Sequence, residues 1–177
     1  MANTTFSGPV RSKNGFQSIG PGAVVALTAA TNLTVADHAG RLLTMDPVGT
    51  PTAITLPTIN ATADSAVAGA SDPNNPSTIG TTFEILFIDE FTGTISTDGT
   101  DKFVGSVMVG VDDGSKKAFV PAAANDVVNL NGEAGAGNAT KGGLIGSRIK
   151  FTATADNTYM VEGLLIGDGT IVTPFGN

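Results

Sequence analysis

The stretch Thr82–Phe91, TFEILFIDEF, constrains the fold of this chain more than any other. In an extended strand Phe83, Ile85, Phe87 and Phe91 fall on one face, while Leu86 and Ile88 point to the other. Glu84 and Glu90 stand at the two ends. A strand that is apolar on both faces in its middle and acidic at its ends predicts a central strand buried between two layers. Burial of Phe83, Ile85, Leu86, Phe87 and Ile88 is worth about 1.5–3 kcal/mol each before chain entropy is subtracted. No other segment is as dense in large apolar side chains.

The rest of the chain is written for short strands and turns. Of 177 residues only 14% are charged, and 23 are glycine. That composition lacks the long charged side chains that coat surface helices, and it suits strands joined at Gly, Asp and Asn. The length fits one domain with a substantial core. A net charge of −7 argues against a broad nucleic-acid-binding face. The charge is uneven: Arg11 and Lys13 precede Asp37, the first acidic residue, so a cationic N-terminal segment leads into an acidic body. With no cysteine, disulfides, zinc–thiolate sites and a cysteine nucleophile are excluded. No stretch is long and apolar enough to span a bilayer as a helix. No charged segment followed by an apolar run opens the chain, so synthesis in a cytosol without a secretory signal is expected.

Residues 1–22 hold Gly8-Pro9, Asn14-Gly15 and Gly20-Pro21-Gly22, which break any useful helix. Phe6, Val10, Phe16 and Ile19 are too widely spaced for a core of their own. The residues fit an extended arm with a few anchors, or a partly disordered terminus. In the body, 23–177, strands are predicted at Val24–Leu27, Leu33–Val35, Arg41–Met45, Ala53–Pro57, Thr94–Ser96, Lys102–Val111, Lys116–Val120 and Asp126–Leu130. Gly105 reads as a bulge or a point of close approach. Residues 58–80 predict a long exposed loop, in which Ala61–Ala68 allows a short helix, and residues 131–143 a second, flexible loop. Arg148–Ala153 alternates strictly, Ala155-Asp156-Asn157 turns the chain, and Tyr159–Ile166 returns antiparallel; Ile171–Phe175 closes it. Short strands at this spacing predict an all-β fold, an antiparallel β-sandwich or jelly-roll-like barrel with an extended N-terminal arm.

Chemistry is sparse. His38 is the single histidine and lies in a predicted turn beside Asp37, with no serine in a nucleophile elbow. Asp89 and Glu90 pair at a strand end, but one tyrosine and no tryptophan leave no sugar platform. Asp98, Asp101, Asp112, Asp113 and Asp168 stand in Asp-Gly turns; such clusters can bind Ca²⁺, yet none has EF-hand spacing, and turn formation explains them. Gly132–Gly143 carries Lys141 but does not fit a P-loop. No catalytic residue, metal or cofactor is expected, and the protein is read as no enzyme.

Several segments together resemble small virion proteins of tailed, particularly marine, bacteriophages. They are GRLLTM (Gly40–Met45), AITLP (Ala53–Pro57), GTTFEILFI (Gly80–Ile88), TISTDGTDKFVG (Thr94–Gly105) and IKFTATADNTYMVEG (Ile149–Gly163). FSGPVRSKNGF (Phe6–Phe16) is similar to the N-terminal arm of some of them. The likeness covers the arm and most of the body but neither loop. Its longer 58–80 loop, and Tyr159 where an aromatic pair is common, depart from that pattern. The resemblance implies a capsid decoration, or cement, protein, a homotrimer on the exterior of a phage head, made in the host cytoplasm. Its partner would be the major capsid protein, with neither nucleic acid nor membrane bound. The arm would dock through Phe6, Pro9, Arg11, Lys13 and Phe16. The alternative is a tail or fibre module recognising a host glycan through loops 58–80 and 131–143.

Overall fold

The computed structural model describes residues 24–45, 52–61, 78–111, 114–133 and 137–177. The predicted arm with its five docking residues lies outside them, as do all but the first residue of the helix option at Ala61–Ala68 and the pair Asp112–Asp113. The strands are β1 (Val24–Leu27), β2 (Thr31–Asn32), β3 (Leu42–Met45), β4 (Thr52–Thr55), β5 (Thr82–Phe87), β6 (Thr92–Ser96), β7 (Lys102–Gly110) and β8 (Lys116–Phe119). β9 (Val127–Asn131), β10 (Arg148–Ala155), β11 (Thr158–Ile166) and β12 (Phe175–Gly176) follow, and the one described helix is α1 (Val35–His38).

These strands form two sheets, a seven-stranded one ordered β1-β3-β5-β10-β11-β7-β8 and a five-stranded one ordered β12-β9-β6-β4-β2. One continuous apolar core lies between them. The large sheet contributes Leu43, Met45, Phe83, Ile85, Phe87, Phe103, Val107, Val109, Ile149, Phe151, Val161 and Leu165, and the small sheet Ile54, Ile95, Val128, Leu130 and Phe175. The all-β sandwich expected from strand spacing is the fold. The sheets stay open at their edges and close into no barrel.

Strand direction departs from the antiparallel expectation. β1, β3 and β5 run parallel, and so do β2, β4 and β6. From β1 to β6 the chain crosses to the opposite sheet after every strand, so each return to a sheet has the same direction. A parallel pair needs a crossover, and here each crossover includes a strand of the facing sheet. The last third restores antiparallel pairing. The β10–β11 hairpin, antiparallel as predicted, slots between β5 and β7, and β11 meets β7 in parallel.

Three local expectations are corrected. β5 ends at Phe87, not Phe91, and the chain turns over 88–90 into the small sheet. Phe91 therefore enters the core from the crossover, with its ring 5.5 Å from that of Phe87. Among the described residues only one face of β5 is covered: Phe83, Ile85 and Phe87 are buried, Leu86 is half-buried and Ile88 is exposed. β5 is thus an interior strand of one sheet, with a single layer against it. Finally, the strand predicted at Leu33–Val35 falls between β2, which ends at Asn32, and α1, which begins at Val35. The Thr34 hydroxyl accepts the Asp37 N–H at 3.2 Å, and His38 Nδ1 accepts the Thr34 N–H at 3.0 Å. This reciprocal cap favours one helical turn over extension.

Candidate functional site

The chemical candidates are placed as follows. His38 spends Nδ1 on the α1 cap, and its neighbour Asp37 accepts the Thr34 hydroxyl at 2.9 Å. Asp89 and Glu90 occupy the β5–β6 crossover, where Asp89 accepts the Glu90 N–H at 2.8 Å. Asp168 accepts the Gly137 N–H at 2.8 Å. The described part of 131–143 is pinned rather than free: Asn131 donates to the Asn138 carbonyl at 2.6 Å and accepts the Lys141 N–H at 2.7 Å, and Ala139 is buried. Among the described residues no three His, Cys, Asp or Glu side chains gather as metal ligands, and no helix is long and apolar enough to cross a membrane.

Asp101 differs from its reading as a turn aspartate. It is the one fully buried charged side chain among the described residues. It sits where the β6–β7 crossover meets the segment after β4. Its Oδ2 accepts the Ile59 N–H at 2.9 Å, its carbonyl accepts the Thr97 hydroxyl at 2.7 Å, and its Oδ1 has no protein partner. Beside it Asp98 accepts the Thr58 hydroxyl at 2.8 Å and the N–H groups of Thr100 and Asp101, and the buried Tyr159 donates to the Pro57 carbonyl at 2.7 Å. These bonds clasp residues 57–59 to the 97–101 turn and to β11, closing one end of the sandwich. Asn60 and Thr78 bond to each other immediately beyond, at 2.7 and 2.9 Å, which brings the two ends of the 58–80 loop together.

Burial pushes the Asp101 carboxyl above the usual range, aided by Asp98 and Asp156 and opposed by the Ile59 N–H and Lys102. For Asp98 burial acts in the same direction, but the Thr58 hydroxyl and the two turn amides outweigh it and hold the carboxyl below that range. Burial, with Asp101 and Asp98 nearby, also raises the Tyr159 phenol. The two carboxylates bound stability from opposite sides. The Asp98 contribution is present above the usual carboxylate range and is lost as pH falls through its lowered pKa. The folded state holds the Asp101 proton more tightly than the unfolded chain, so its contribution is complete below about pH 4 and is lost as pH rises through the raised pKa. Asp101→Asn is therefore expected to match or exceed the wild type at neutral pH, since an unpartnered buried acceptor costs about 1–3 kcal/mol, more when charged. Denaturation midpoints from about pH 4 to about pH 7 should fall in the wild type and stay level in the variant. A variant that keeps the wild-type slope would move the effect to another group.

Sequence reading missed a third feature, the outer face of the seven-stranded sheet. Ile88, Val104, Met108, Leu164, Ile166 and Val24 are all 36–51% exposed on this face. They are six of the ten large apolar side chains exposed among the described residues. One register row crosses the sheet as Ala26, Thr44, Leu86, Arg148, Leu164, Met108 and Ala118. The next carries Glu84, Lys150, Glu162 and Ser106. Arg148 Nε lies 2.6 Å from Glu84 and Lys150 Nζ 3.0 Å from Glu162, so these four charges pair off. The alternation that fills the core from one face of β5, β7 and β11 leaves these residues on the other. The signal was present in Leu86 and Ile88, but read along a single strand it looked like a second buried layer.

No family model, characterised protein or solved structure matches this chain.

Proposed function

We propose that the protein is a capsid decoration protein, a homotrimer on the exterior of a phage head that clamps neighbouring subunits of the major capsid protein. The observation that supports this reading is where the virion-like segments lie. GRLLTM leads into β3, AITLP covers β4, GTTFEILFI covers β5, TISTDGTDKFVG runs from β6 into β7, and IKFTATADNTYMVEG spans the β10–β11 hairpin. All of these strands are interior to the two sheets, so the likeness lies in core-forming strands and not in scattered turns. The body is a rigid block suited to bearing load across a junction. Its described residues carry seven basic and eleven acidic side chains, a net charge of −4, which limits non-specific adhesion on an exterior surface. Residues 1–23 join this body at β1, an edge of the large sheet. Phe6, Pro9, Arg11, Lys13 and Phe16 would dock that segment on the capsid.

Deletion of residues 1–20 tests the reading. The truncated protein should retain the far-UV spectrum of the β body and lose binding to isolated heads. Unchanged decoration by the truncated form would remove the docking role from the segment. Labelled-particle electron microscopy that finds the protein on tails would replace the reading with a fibre module.

A further inference from the structure

Among the described residues the outer face of the seven-stranded sheet has no cover, yet it gathers most of their exposed large apolar side chains. We propose that this face is where copies of the chain meet. The inference concerns the homo-oligomer of the functional reading, not its attachment to a head.

Two observations favour a second copy as the occupant. The first is size. Seven strands about 4.8 Å apart, from about 13 to about 30 Å long, present roughly 600–700 Å², within the range of a standard protein interface per partner. The second is charge. Two acidic bodies repel, and a shared contact forms where that repulsion vanishes. At the centre of this face Glu84 and Glu162 are matched by Arg148 and Lys150, so it approaches a copy of itself without net repulsion. The same balance gives little purchase to a strongly charged partner.

The test is the solution mass of the full chain by light scattering at about 50 µM, beside three variants. The full chain should run as an oligomer. Met108→Glu with Leu164→Glu should run as a monomer, its association weakened at least about 100-fold, with an unchanged far-UV spectrum because both side chains lie outside the core. Val172→Glu, an exposed apolar position off this sheet, should leave the mass unchanged. Deletion of residues 1–20 should leave it unchanged as well. A monomeric full chain overturns the proposal. So does a double variant that stays oligomeric, or association that appears only after the deletion, which would mean that the first residues cover the face in the same chain. A mass of two chains keeps this interface and removes the trimer from the functional reading. Loss of head binding without a change in mass leaves the interface standing.

Discussion

Phe151→Ala should cost about 3–5 kcal/mol of folding stability, a large share of the roughly 5–15 kcal/mol that a domain holds. Phe151 lies on β10, the middle strand of the large sheet, in register with Phe83 on one side and Val161 on the other. Its side chain is fully buried, and its ring lies 5.4 Å from that of Phe103 on β7, two strands away. Truncation removes contacts to both neighbouring strands and to an aromatic partner, and the paired strands hold the backbone so that the cavity cannot collapse. Urea titration reads the loss. Thr152, the next residue, faces outward, and Thr152→Ala should shift the midpoint by less than about 0.5 kcal/mol. Equal losses for the two would mean that the inward and outward assignment of β10 is wrong.

Gly105→Ala should be comparably damaging, at about 3–5 kcal/mol, for a different reason. Gly105 has φ +108°, and a Cβ placed on it would lie 2.3 Å from the Val161 carbonyl oxygen of β11. A methyl group there meets both a disfavoured backbone conformation and the backbone of the paired strand, which has no flexible end to move aside. Gly99→Ala is the control. Its φ is +90°, yet a Cβ added there would meet nothing within 4 Å, so it carries the conformational cost alone, about 1–2 kcal/mol. If Gly105→Ala proves no worse than Gly99→Ala, the close approach of β7 to β11 is not as described.

The clasp at Asp101 and the outer sheet face bear differently on function. The clasp shapes the body: it ties the base of the 58–80 loop to the end of the sandwich, and its carboxylates set the pH range over which the body is firm. The outer face is available for contact. If copies meet there, the apolar surface that strands leave on their second face becomes interior, and the acidic remainder of the body is what the assembly presents to its surroundings.

The strand positions were legible because period-2 alternation and Gly/Asp/Asn turns are local. Val24–Leu27 agrees residue for residue, the Arg148–Ile166 hairpin returns antiparallel as expected, and Gly105 is the close approach its place in an apolar run suggests. What a strand pairs with is not local. Thr28–Ala30 could turn the chain back beside β1 or carry it across the core, and only the fit of Leu27, Leu33 and Leu43 in one interior selects the crossing. The parallel order of β1, β3 and β5 follows from that choice. Asp101 shows the same limit. Its turn chemistry is visible in TDGTD, but its burial depends on Ile59 and Tyr159, far away in the chain.

TFEILFIDEF marks the boundary most clearly. By itself it determined an interior strand, because nothing else buries three large side chains on one face so economically. Whether its other face met a second layer, water or another copy was beyond it, since Leu86 and Ile88 are equally apolar in each case. The tertiary structure decided: both sheets turn one face to a shared core, so the second face of β5 is left on the outside.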